Sequence, residues 1–281
     1  MNEIDLRSLT VKQVINKYDL LSNRSRSKSF GQHFLCDASL LRKIAKFGFS
    51  EGGHDIIEIG PGPCGLTRAI LENFPKDTQV FCIEKDKNLK IVHDNLHDNR
   101  VHFIYEDALK LRISSITDKK CIIISNLPYN VGTQLLINWL EYDLPQIHLM
   151  VLTFQEEVAN RIVSKAGKKE YGRLSIICQL LCKCEKLFNI SNGAFCPPPN
   201  VTSSVIRLTP FDKNIPNIKK VEKLTAVCFQ KRRKTIFSIL KGLINQEQLA
   251  ISLENCAIDK MARPETISPE KFLYLADTLD L

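Results

Sequence analysis

Short apolar runs alternate with stretches of helical periodicity through the first half of the chain. The apolar runs are DIIEIG (55–60), QVFCIEKD (79–86), VHFIYEDA (101–108), CIIISNLPY (121–129) and IHLMVLTF (147–154). Between them, segments such as GLTRAILENF and VGTQLLINWLEY repeat their apolar residues at the spacing of an α-helix. Strands that alternate with helices predict βαβ units and a parallel, doubly wound α/β sheet.

The pattern changes in the second half. LSIICQLLCKCEKLFNI and SSVIRLTP are apolar enough to add later strands, with an antiparallel end to the sheet. After Pro210 the segments VEKLTAVCFQKRRKTIFSILKGL and EQLAISLENC have helical periodicity and no further strand pattern. We therefore predict an N-terminal extension (1–27), an α/β domain (28–209) and a small all-helical domain (210–281).

Composition narrows the classes of protein to which the chain can belong. Of its 281 residues, 44% are hydrophobic and 25% are charged, which is typical of a folded domain with a core. Lys and Arg (39) outnumber Asp and Glu (31), and this excess favours an anionic partner. No apolar run reaches the roughly 18–20 residues of a membrane span, and the N-terminus lacks the apolar core of a signal peptide. We expect a cytoplasmic protein with no membrane partner.

The ten cysteines and six histidines do not indicate a metal site. The cysteines are scattered except for Cys178, Cys182 and Cys184, which form no CxxC pair and have no nearby His. His93 and His97 have helical i, i+4 spacing, but no Glu stands beside them as in HExxH. We interpret these two histidines as part of a solvated helix surface and predict no metal.

The segment EIGPGPCG stands where the first strand of the pattern turns into a helix. Its glycines, Gly60, Gly62 and Gly65, let a ligand approach the backbone at the helix N-terminus. Glu84 ends the next strand, 22 residues after Gly62, where a carboxylate can accept both hydroxyl groups of a ribose. A nicotinamide dinucleotide fits this much of the pattern as well.

Two further carboxylates favour S-adenosyl-methionine over a dinucleotide. Glu58 precedes the glycines, and Asp107 follows the third strand of the pattern. A carboxylate at the tip of that strand can accept a hydrogen bond from the adenine amino group of the cofactor. We therefore predict an S-adenosyl-methionine site.

The segment SNLPYN (125–130) ends an apolar strand with an amide, a proline and an aromatic ring. Asn and Pro are common in turns, so a plain turn is the simplest interpretation. A run of [N/D]-x-P-[Y/F] at the tip of the fourth strand is, however, the signature of methyltransferases that act on exocyclic amino nitrogens. The N6 lone pair of adenine is delocalised into the ring, so two acceptors must hold the amino hydrogens and aim the lone pair.

Each residue of this segment has a physical part in that arrangement. The Asn126 side-chain oxygen and the Leu127 carbonyl can be the two acceptors, and Pro128 fixes the turn that aims them. Tyr129 can stack on the extruded base. The methyl group leaves a sulfonium, so orientation of the reactants matters more than a strong base.

Read together, the motifs resemble the ribosomal RNA adenine dimethyltransferases. The closest resemblance is to the bacterial group that dimethylates two adjacent adenosines near the 3′ end of small-subunit (16S) rRNA. The matching segments are KSFGQHFLCD (28–37), IIEIGPG, EDA, SNLPYN, QEEVANRIVSKAGKKEYGRLSI (155–176), AFCPPPNVTSSVIRL (194–208), FQKRRKTIFSIL (229–240) and ARPETIS (262–268). The resemblance implies a Rossmann-like methyltransferase sheet, a C-terminal helical RNA-binding domain, and a monomer that acts on 16S rRNA in the small (30S) subunit or its precursor.

The resemblance also implies roles for individual residues. The cofactor contacts fall at His33, Leu35, Gly60, Gly62, Glu84, Asp107 and Asn126, and the residues that hold the target base are Asn126, Leu127, Pro128, Tyr129 and Phe195. Phe195 would flank the base opposite Tyr129, although a core Phe in a proline-rich connector is the simpler interpretation. The residues expected on RNA phosphates are Lys231, Arg232, Arg233 and Lys234, assisted by the basic segments 23–29 and 165–169. A solvated basic helix face is the alternative for the run at 231–234.

Two positions depart from the family pattern. The family usually has Asn in GQNFL, where this chain has His33, whose charge near pH 6.5 adds a pH sensitivity that Asn lacks. A glycine often stands at the position of Cys64, which here is followed by Gly65.

Three other functions fit parts of the sequence. A large-subunit (23S) rRNA adenine methyltransferase of the macrolide-resistance type more often carries Ile between Asn and Pro, and ARPETIS resembles the small-subunit group. A non-catalytic ribosome-assembly or mitochondrial transcription factor could use the same scaffold, but the intact Asn126, Pro128 and Tyr129 argue against lost catalysis. A nicotinamide dehydrogenase would leave NLPY and the basic tail unexplained.

Overall fold

A computed structural model describes residues 5–21, 33–51, 53–212, 215 and 217–279. The basic segment predicted at 23–29 lies outside these residues. Within them the strands are β1 (Phe34–Leu35), β2 (Asp55–Ile59), β3 (Val80–Ile83), β4 (Val101–Ile104), β5 (Cys121–Asn126), β6 (Ile147–Gln155), β7 (Cys182–Ile190), β8 (Phe195–Cys196) and β9 (Ser203–Pro210). The α-helices are α1 (Val11–Lys17), α2 (Ala38–Phe47), α3 (Gly65–Asn73), α4 (Lys90–His93), α5 (Gly132–Asn138), α6 (Glu156–Val163), α7 (Arg173–Leu181), α8 (Ile218–Gln230), α9 (Ile236–Leu240), α10 (Gln246–Asn255) and α11 (Pro269–Thr278).

Seven strands form one sheet in the order β4-β3-β2-β5-β6-β9-β7. The pairs from β4 to β6 are parallel, and β9 pairs antiparallel with β6. All five residues of β2 are buried, as expected for a central parallel strand that is covered on both faces. The doubly wound sheet with an antiparallel end is therefore confirmed.

Two segments differ from the pattern that predicted them. The helix expected in KNLKIVHDNLHD is reduced to a 3₁₀ turn (Lys87–Leu89) followed by the single turn of α4. The apolar segment LSIICQLL forms helix α7, and the strand β7 begins only at Cys182. The prediction of a strand is therefore wrong for LSIICQLL, because a short and mainly apolar segment does not distinguish a buried helix from a buried strand.

The described residues group into two compact units. The first comprises Met1–Glu156 and Glu185–Pro210 and contains the seven-stranded sheet. Its core includes Leu6, Val14 and Ile15, so the described residues of the predicted N-terminal extension (5–21) pack into this unit.

The second unit comprises Glu157–Cys184 and Phe211–Leu281 and is built mainly of helices. Tyr171, Phe229 and Phe272 form its aromatic centre, and the Tyr171 hydroxyl donates to the carbonyl of Ile267 at 2.8 Å. The first unit ends at Pro210, one residue after the predicted end of the α/β domain at 209, and residues 157–184 group with the C-terminal helices. None of the helices in the described ranges is long and apolar enough to cross a membrane.

Candidate functional site

A cavity opens at the carboxyl ends of the parallel strands, where ligands bind in open α/β sheets. It is lined by His33, Phe34, Ile59, Gly60, Gly62, Ile83, Glu84, Lys85, Glu106, Asp107, Ala108, Leu109, Asn126, Leu127, Pro128, Tyr129, Asn130, Val131 and Leu135. The structure thus brings together every predicted cofactor residue except Leu35. Leu35 is buried in β1, beside the cavity-lining Phe34, and does not itself line the cavity.

The glycine loop between β2 and α3 has three residues in the left-handed region. Gly60, Gly62 and Cys64 have φ angles of 67°, 53° and 58°. A Cβ added at Gly62 would lie 2.9 Å from the ring of Phe34, so only glycine fits there. Cys64 adopts a conformation that favours glycine, which is the residue that the family resemblance leads us to expect at this position. Burial raises the pKa of the Cys64 thiol, which is a neutral packing group.

Glu84 presents a buried carboxylate at the end of β3. One carboxylate oxygen accepts the N–H of Asp86 at 2.8 Å, and the other faces the N–H of Gly62 at 3.4 Å. Burial raises the pKa of Glu84 to about 7. Each carboxylate oxygen has a second lone pair that can accept a further hydrogen bond, which suits a ligand with two adjacent hydroxyl groups.

Asp107 follows β4 and carries an ion pair. Its carboxylate accepts from the Lys85 ammonium at 2.8 Å and from the Leu109 N–H at 3.1 Å. The hydrogen bond from Lys85 holds the pKa of Asp107 below its usual range. Each oxygen retains a lone pair, so Asp107 can still accept a hydrogen bond from an amino group in the cavity.

Glu58 does not line the cavity. It is buried behind the glycine loop, where it accepts the Thr67 hydroxyl at 2.7 Å and lies 3.7 Å from the Cys82 thiol. Burial raises its pKa to about 8. Because Thr67 belongs to α3, Glu58 ties the first turns of that helix to β2.

The NLPY segment leaves β5 and leads into α5. The Pro128 carbonyl accepts the N–H groups of Val131 and Gly132, at 3.2 and 3.0 Å. The Asn126 side-chain Nδ2 donates to the carbonyl of His33 at 3.2 Å. This bond directs the Asn126 Oδ1 the other way, where it is buried and has no hydrogen-bond partner in the described part of the chain. Asn126 lines the cavity, and its Oδ1 is a buried acceptor without a hydrogen-bond partner among the described residues.

Tyr129 and His33 form a second contact between the same two segments. Their rings stack with centroids 5.6 Å apart and planes at 28°, and the Tyr129 hydroxyl hydrogen-bonds the Ser203 hydroxyl. The His33 Nδ1 lies 2.9 Å from the carbonyl of Pro197. A carbonyl can only accept, so Nδ1 carries the proton in this contact. His33 thus bridges the NLPY segment and the FCPPP loop.

Phe195 is not brought to the cavity. It lies in β8 opposite Leu35 of β1, is only 4% exposed, and belongs to the hydrophobic core of the first unit. The interpretation as a core Phe describes its position in this structure. Its predicted place beside the target base, opposite Tyr129, stays a prediction.

The basic run at 231–234 lies in a turn and not on a helix, because α8 ends at Gln230 and α9 begins at Ile236. All four residues are exposed. Arg232 forms an ion pair with Glu265 at 2.7 Å and donates to the carbonyl of Lys169 at 3.3 Å. Since Lys169 lies in the lysine-rich loop 165–169, this contact joins two segments that were predicted separately as basic.

His93 is the site residue that the sequence analysis missed. The interpretation as solvated helix surface is wrong for His93, which is only 2% exposed. His97 is exposed, but it lies beyond the end of α4 and not on a helix. The ring of His93 contacts the glycine loop through Gly62. A signal was present: Leu89, Val92, His93 and Leu96 have the i, i+3, i+4, i+7 spacing of a buried face.

Comparison with known proteins places the chain in a family. The family model "Ribosomal RNA adenine dimethylase" matches residues 23–281. The chain is 41% identical to ribosomal RNA small subunit methyltransferase A of Caulobacter vibrioides, over 89% of this chain and 95% of the relative. The protein of the same name from Agrobacterium fabrum is 39% identical, over 96% of this chain and 97% of the relative.

Solved structures show the same fold. A dimethyladenosine transferase from Plasmodium falciparum superimposes with a TM-score of 0.76 at 24% identity, over 86% of this chain and 96% of that chain. The 23S rRNA methyltransferase ErmE gives a TM-score of 0.67 at 22% identity, over 88% and 100%. The predicted fold class and enzyme class are thereby confirmed, and the chain belongs to the ribosomal RNA adenine dimethylase family of methyltransferases.

Proposed function

We propose that this chain uses S-adenosyl-methionine to dimethylate N6 of two adjacent adenosines in the 3′-terminal hairpin of 16S rRNA. Its curated relatives are named ribosomal RNA small subunit methyltransferase A, which supports this choice of substrate. The observation that supports the chemistry is that Asn126 lines the cavity and that its buried Oδ1 has no hydrogen-bond partner among the described residues. The enzyme acts in the cytoplasm as a monomer, on the small (30S) subunit or its precursor.

The residues of the cavity fit S-adenosyl-methionine. Glu84 would accept hydrogen bonds from the ribose hydroxyls, and Asp107 would accept one from the adenine amino group. The backbone at Gly60 and Gly62 would leave room for the rest of the molecule. At Gly60 even a Cβ would meet nothing closer than Pro128 at 3.7 Å, so this peptide borders free space. When bound, S-adenosyl-methionine supplies a methyl group on a positively charged sulfur.

Asn126 and Leu127 orient the target amine. The Asn126 Oδ1 accepts one N6 hydrogen and the Leu127 carbonyl accepts the other, which turns the nitrogen lone pair toward the methyl group. Asn126 is fixed for this task because its Nδ2 already donates to the His33 carbonyl. An acceptor that is buried without a partner costs free energy, about 1–3 kcal/mol, and the amine removes that cost when it binds.

Tyr129 supports the base from one face. Its hydroxyl is tied to Ser203 and its ring already stacks on His33, so its orientation is set before the base arrives. Stacking of a base on such a ring contributes roughly 1–3 kcal/mol. The proton released from N6 needs no strong base, because the nitrogen becomes acidic only after it has accepted the methyl group.

The second unit supplies a basic surface for RNA. Lys231, Arg233 and Lys234 are exposed in the turn between α8 and α9, and Arg232 links this turn to the loop 165–169. Lysine and arginine side chains at such a surface contact phosphates and carry no base-reading geometry. This surface positions the ribosomal RNA, and the cavity of the first unit selects the adenosine.

A methyl-transfer assay on purified subunits tests the proposal. Unmethylated small subunits and intact large subunits are incubated with labelled S-adenosyl-methionine, and the labelled base is mapped by primer extension. We expect label in two adjacent adenosines near the 3′ end of 16S rRNA, as N6,N6-dimethyladenosine. Label in the large subunit alone would favour the 23S enzyme of the macrolide-resistance type, and binding without transfer would favour an assembly factor.

A further inference from the structure

We propose that His93 is a positioning residue of the cofactor site, which holds the carbonyl of Gly62 while Tyr105 fixes the tautomer of its imidazole. The inference rests on the proposed function in one respect, that the ligand of the glycine loop is S-adenosyl-methionine. It extends that function to a residue that lies outside the cavity lining.

Hydrogen-bond geometry defines the protonation of His93. Its Nε2 is 2.9 Å from the Gly62 carbonyl oxygen, and its Nδ1 is 2.9 Å from the Tyr105 hydroxyl oxygen. A carbonyl can only accept, so Nε2 carries the hydrogen. Burial lowers the pKa of His93 to about 4, so the ring is neutral near pH 7. Nδ1 then has a lone pair and accepts the hydrogen of the Tyr105 hydroxyl.

The ring of His93 is also fixed by packing. It stacks on Phe103 of β4 with centroids 4.2 Å apart and planes at 7°. It lies 5.7 Å from the ring of Tyr105, at 23°. Phe103 lies in β4 and Tyr105 directly follows that strand, two residues further on. Both side chains therefore contact the imidazole ring of His93. Phe103 and Tyr105 together therefore fix the ring orientation of His93 and, with it, the direction of its Nε2–H bond.

The bond acts on the most constrained part of the cofactor loop. Gly62 lines the cavity and is one of three loop residues with positive φ. Its N–H faces the Glu84 carboxylate at 3.4 Å, and its carbonyl accepts from His93 at 2.9 Å. Glycine adopts positive and negative φ about equally readily, so contacts from neighbouring residues are needed to select one conformation. Glu84 and His93 thus hold the two peptide groups that flank the Cα atom of Gly62, and His93 keeps the loop aligned with Glu84 for the ribose.

Three variants separate positioning from packing. His93→Phe keeps an aromatic ring on Phe103 and removes the donor to Gly62. Tyr105→Phe keeps the ring of residue 105 and removes the hydroxyl that fixes the tautomer. His93→Gln restores an N–H donor near the position of Nε2. His97→Gln, on the exposed side of the same segment, is the matched control.

For each protein, calorimetry measures the affinity for S-adenosyl-methionine. The thermal unfolding temperature and the affinity for the small ribosomal subunit are measured on the same preparations. We expect His93→Phe to weaken cofactor binding roughly tenfold or more, because the Gly62 carbonyl loses its partner. Tyr105→Phe should weaken it by a smaller factor, and His93→Gln should bind more tightly than His93→Phe. Subunit affinity and the His97→Gln control should stay at the wild-type value.

Contrary outcomes separate this inference from the proposed function. A lower unfolding temperature with wild-type cofactor affinity in both His93→Phe and Tyr105→Phe would reduce His93 to a packing residue and overturn the inference alone. If His93→Phe does not fold, unchanged affinity in Tyr105→Phe overturns it equally. A wild-type protein that does not bind S-adenosyl-methionine would overturn the proposed function and, with it, this inference.

Discussion

The side-chain Nδ2 of Asn126 donates to the backbone carbonyl of His33 across 3.2 Å. This one bond joins the HFL segment to the NLPY segment, which are far apart in sequence. It also decides which atom of the Asn126 amide is left for a ligand, because the carbonyl requires the nitrogen and leaves the oxygen. The same two residues are linked again through the stack of His33 on Tyr129.

Cofactor affinity should depend on pH through Glu84. Burial raises its pKa to about 7 in the free protein, so the carboxyl is protonated below that pH and ionised above it. The ribose hydroxyls need the carboxylate, and affinity should therefore fall as pH drops below about 7, by up to tenfold per pH unit. Calorimetry across a pH series measures this. Glu84→Gln should bind S-adenosyl-methionine weakly at every pH. If its affinity changes with pH as steeply as that of the wild type, the titrating group is not Glu84.

The stability of the first unit should fall as pH rises through the range set by Glu58. Burial raises its folded pKa from 4.5 to about 8, so its contribution is fully present below pH 4.5 and is lost between there and about pH 8. Glu84 acts in the same direction over part of this range. Glu58→Gln still accepts the Thr67 hydroxyl and should flatten the decline. Urea unfolding at several pH values measures the slopes, and equal slopes for both proteins would contradict the assignment.

Gly65 should tolerate no side chain. A Cβ at this position would lie 2.8 Å from Val11 and 3.1 Å from Leu41, where α1 and α2 pack against the start of α3. Gly65→Ala should lower the free energy of unfolding by about 1–3 kcal/mol. Gly242→Ala is the control, since nothing lies within 4 Å of its Cβ position, and it should change stability by less than about 1 kcal/mol. If Gly65→Ala and Gly242→Ala change the free energy of unfolding equally, α1 can shift to make room for the added methyl group.

Arg233 and Arg232 should differ in RNA binding, although they are adjacent. Arg233 is exposed, whereas Arg232 is paired with Glu265, so its charge is already compensated within the protein. Arg233→Gln should weaken subunit binding and reduce the slope of log affinity against log salt by about 0.7–0.9. Arg232→Gln should leave the slope nearly unchanged.

Neutralising Lys231, Arg233 and Lys234 together gives the larger test. Cofactor affinity should remain at the wild-type value in this variant, while the salt dependence of subunit binding flattens further. If variant and wild type have the same affinity for the small subunit at every salt concentration, the turn is only a solvated surface.

Much of this architecture could be predicted from local sequence patterns. The parallel strands were visible because each is a short apolar run followed by polar residues at the sheet edge, and Glu84, Asp107 and Asn126 follow directly from those strand ends. The strand prediction is wrong for α7, because a mainly apolar segment of eight residues, in which Ser175 and Gln179 are the polar residues, fits a buried helix as well as a buried strand. The turn at 231–234 was mistaken for helix because Lys and Arg are good helix formers and nothing in QKRRK marks the end of α8.

The contacts made between distant segments could not be predicted. His93 is buried because Gly62 and Tyr105 satisfy both of its ring nitrogens, and neither partner is near it in the helix pattern. Phe195 is buried because β8 pairs with β1, two strands of two residues each that leave no pattern in the sequence. The pairing of Arg232 with Glu265 likewise depends on how the helices of the second unit pack.

The central claim is that the Asn126 Oδ1 orients the target amine. Single-turnover methyl transfer to unmethylated small subunits, with cofactor affinity measured on the same preparations, tests it most directly. Asn126→Ala should lose most of its transfer rate while its S-adenosyl-methionine affinity falls only modestly, because the lost interaction belongs mainly to the transition state. Asn126→Asp keeps an acceptor but loses the donor to the His33 carbonyl. Its transfer rate should therefore lie between those of the wild type and Asn126→Ala. An Asn126→Ala protein that transfers methyl groups at the wild-type rate would contradict the account.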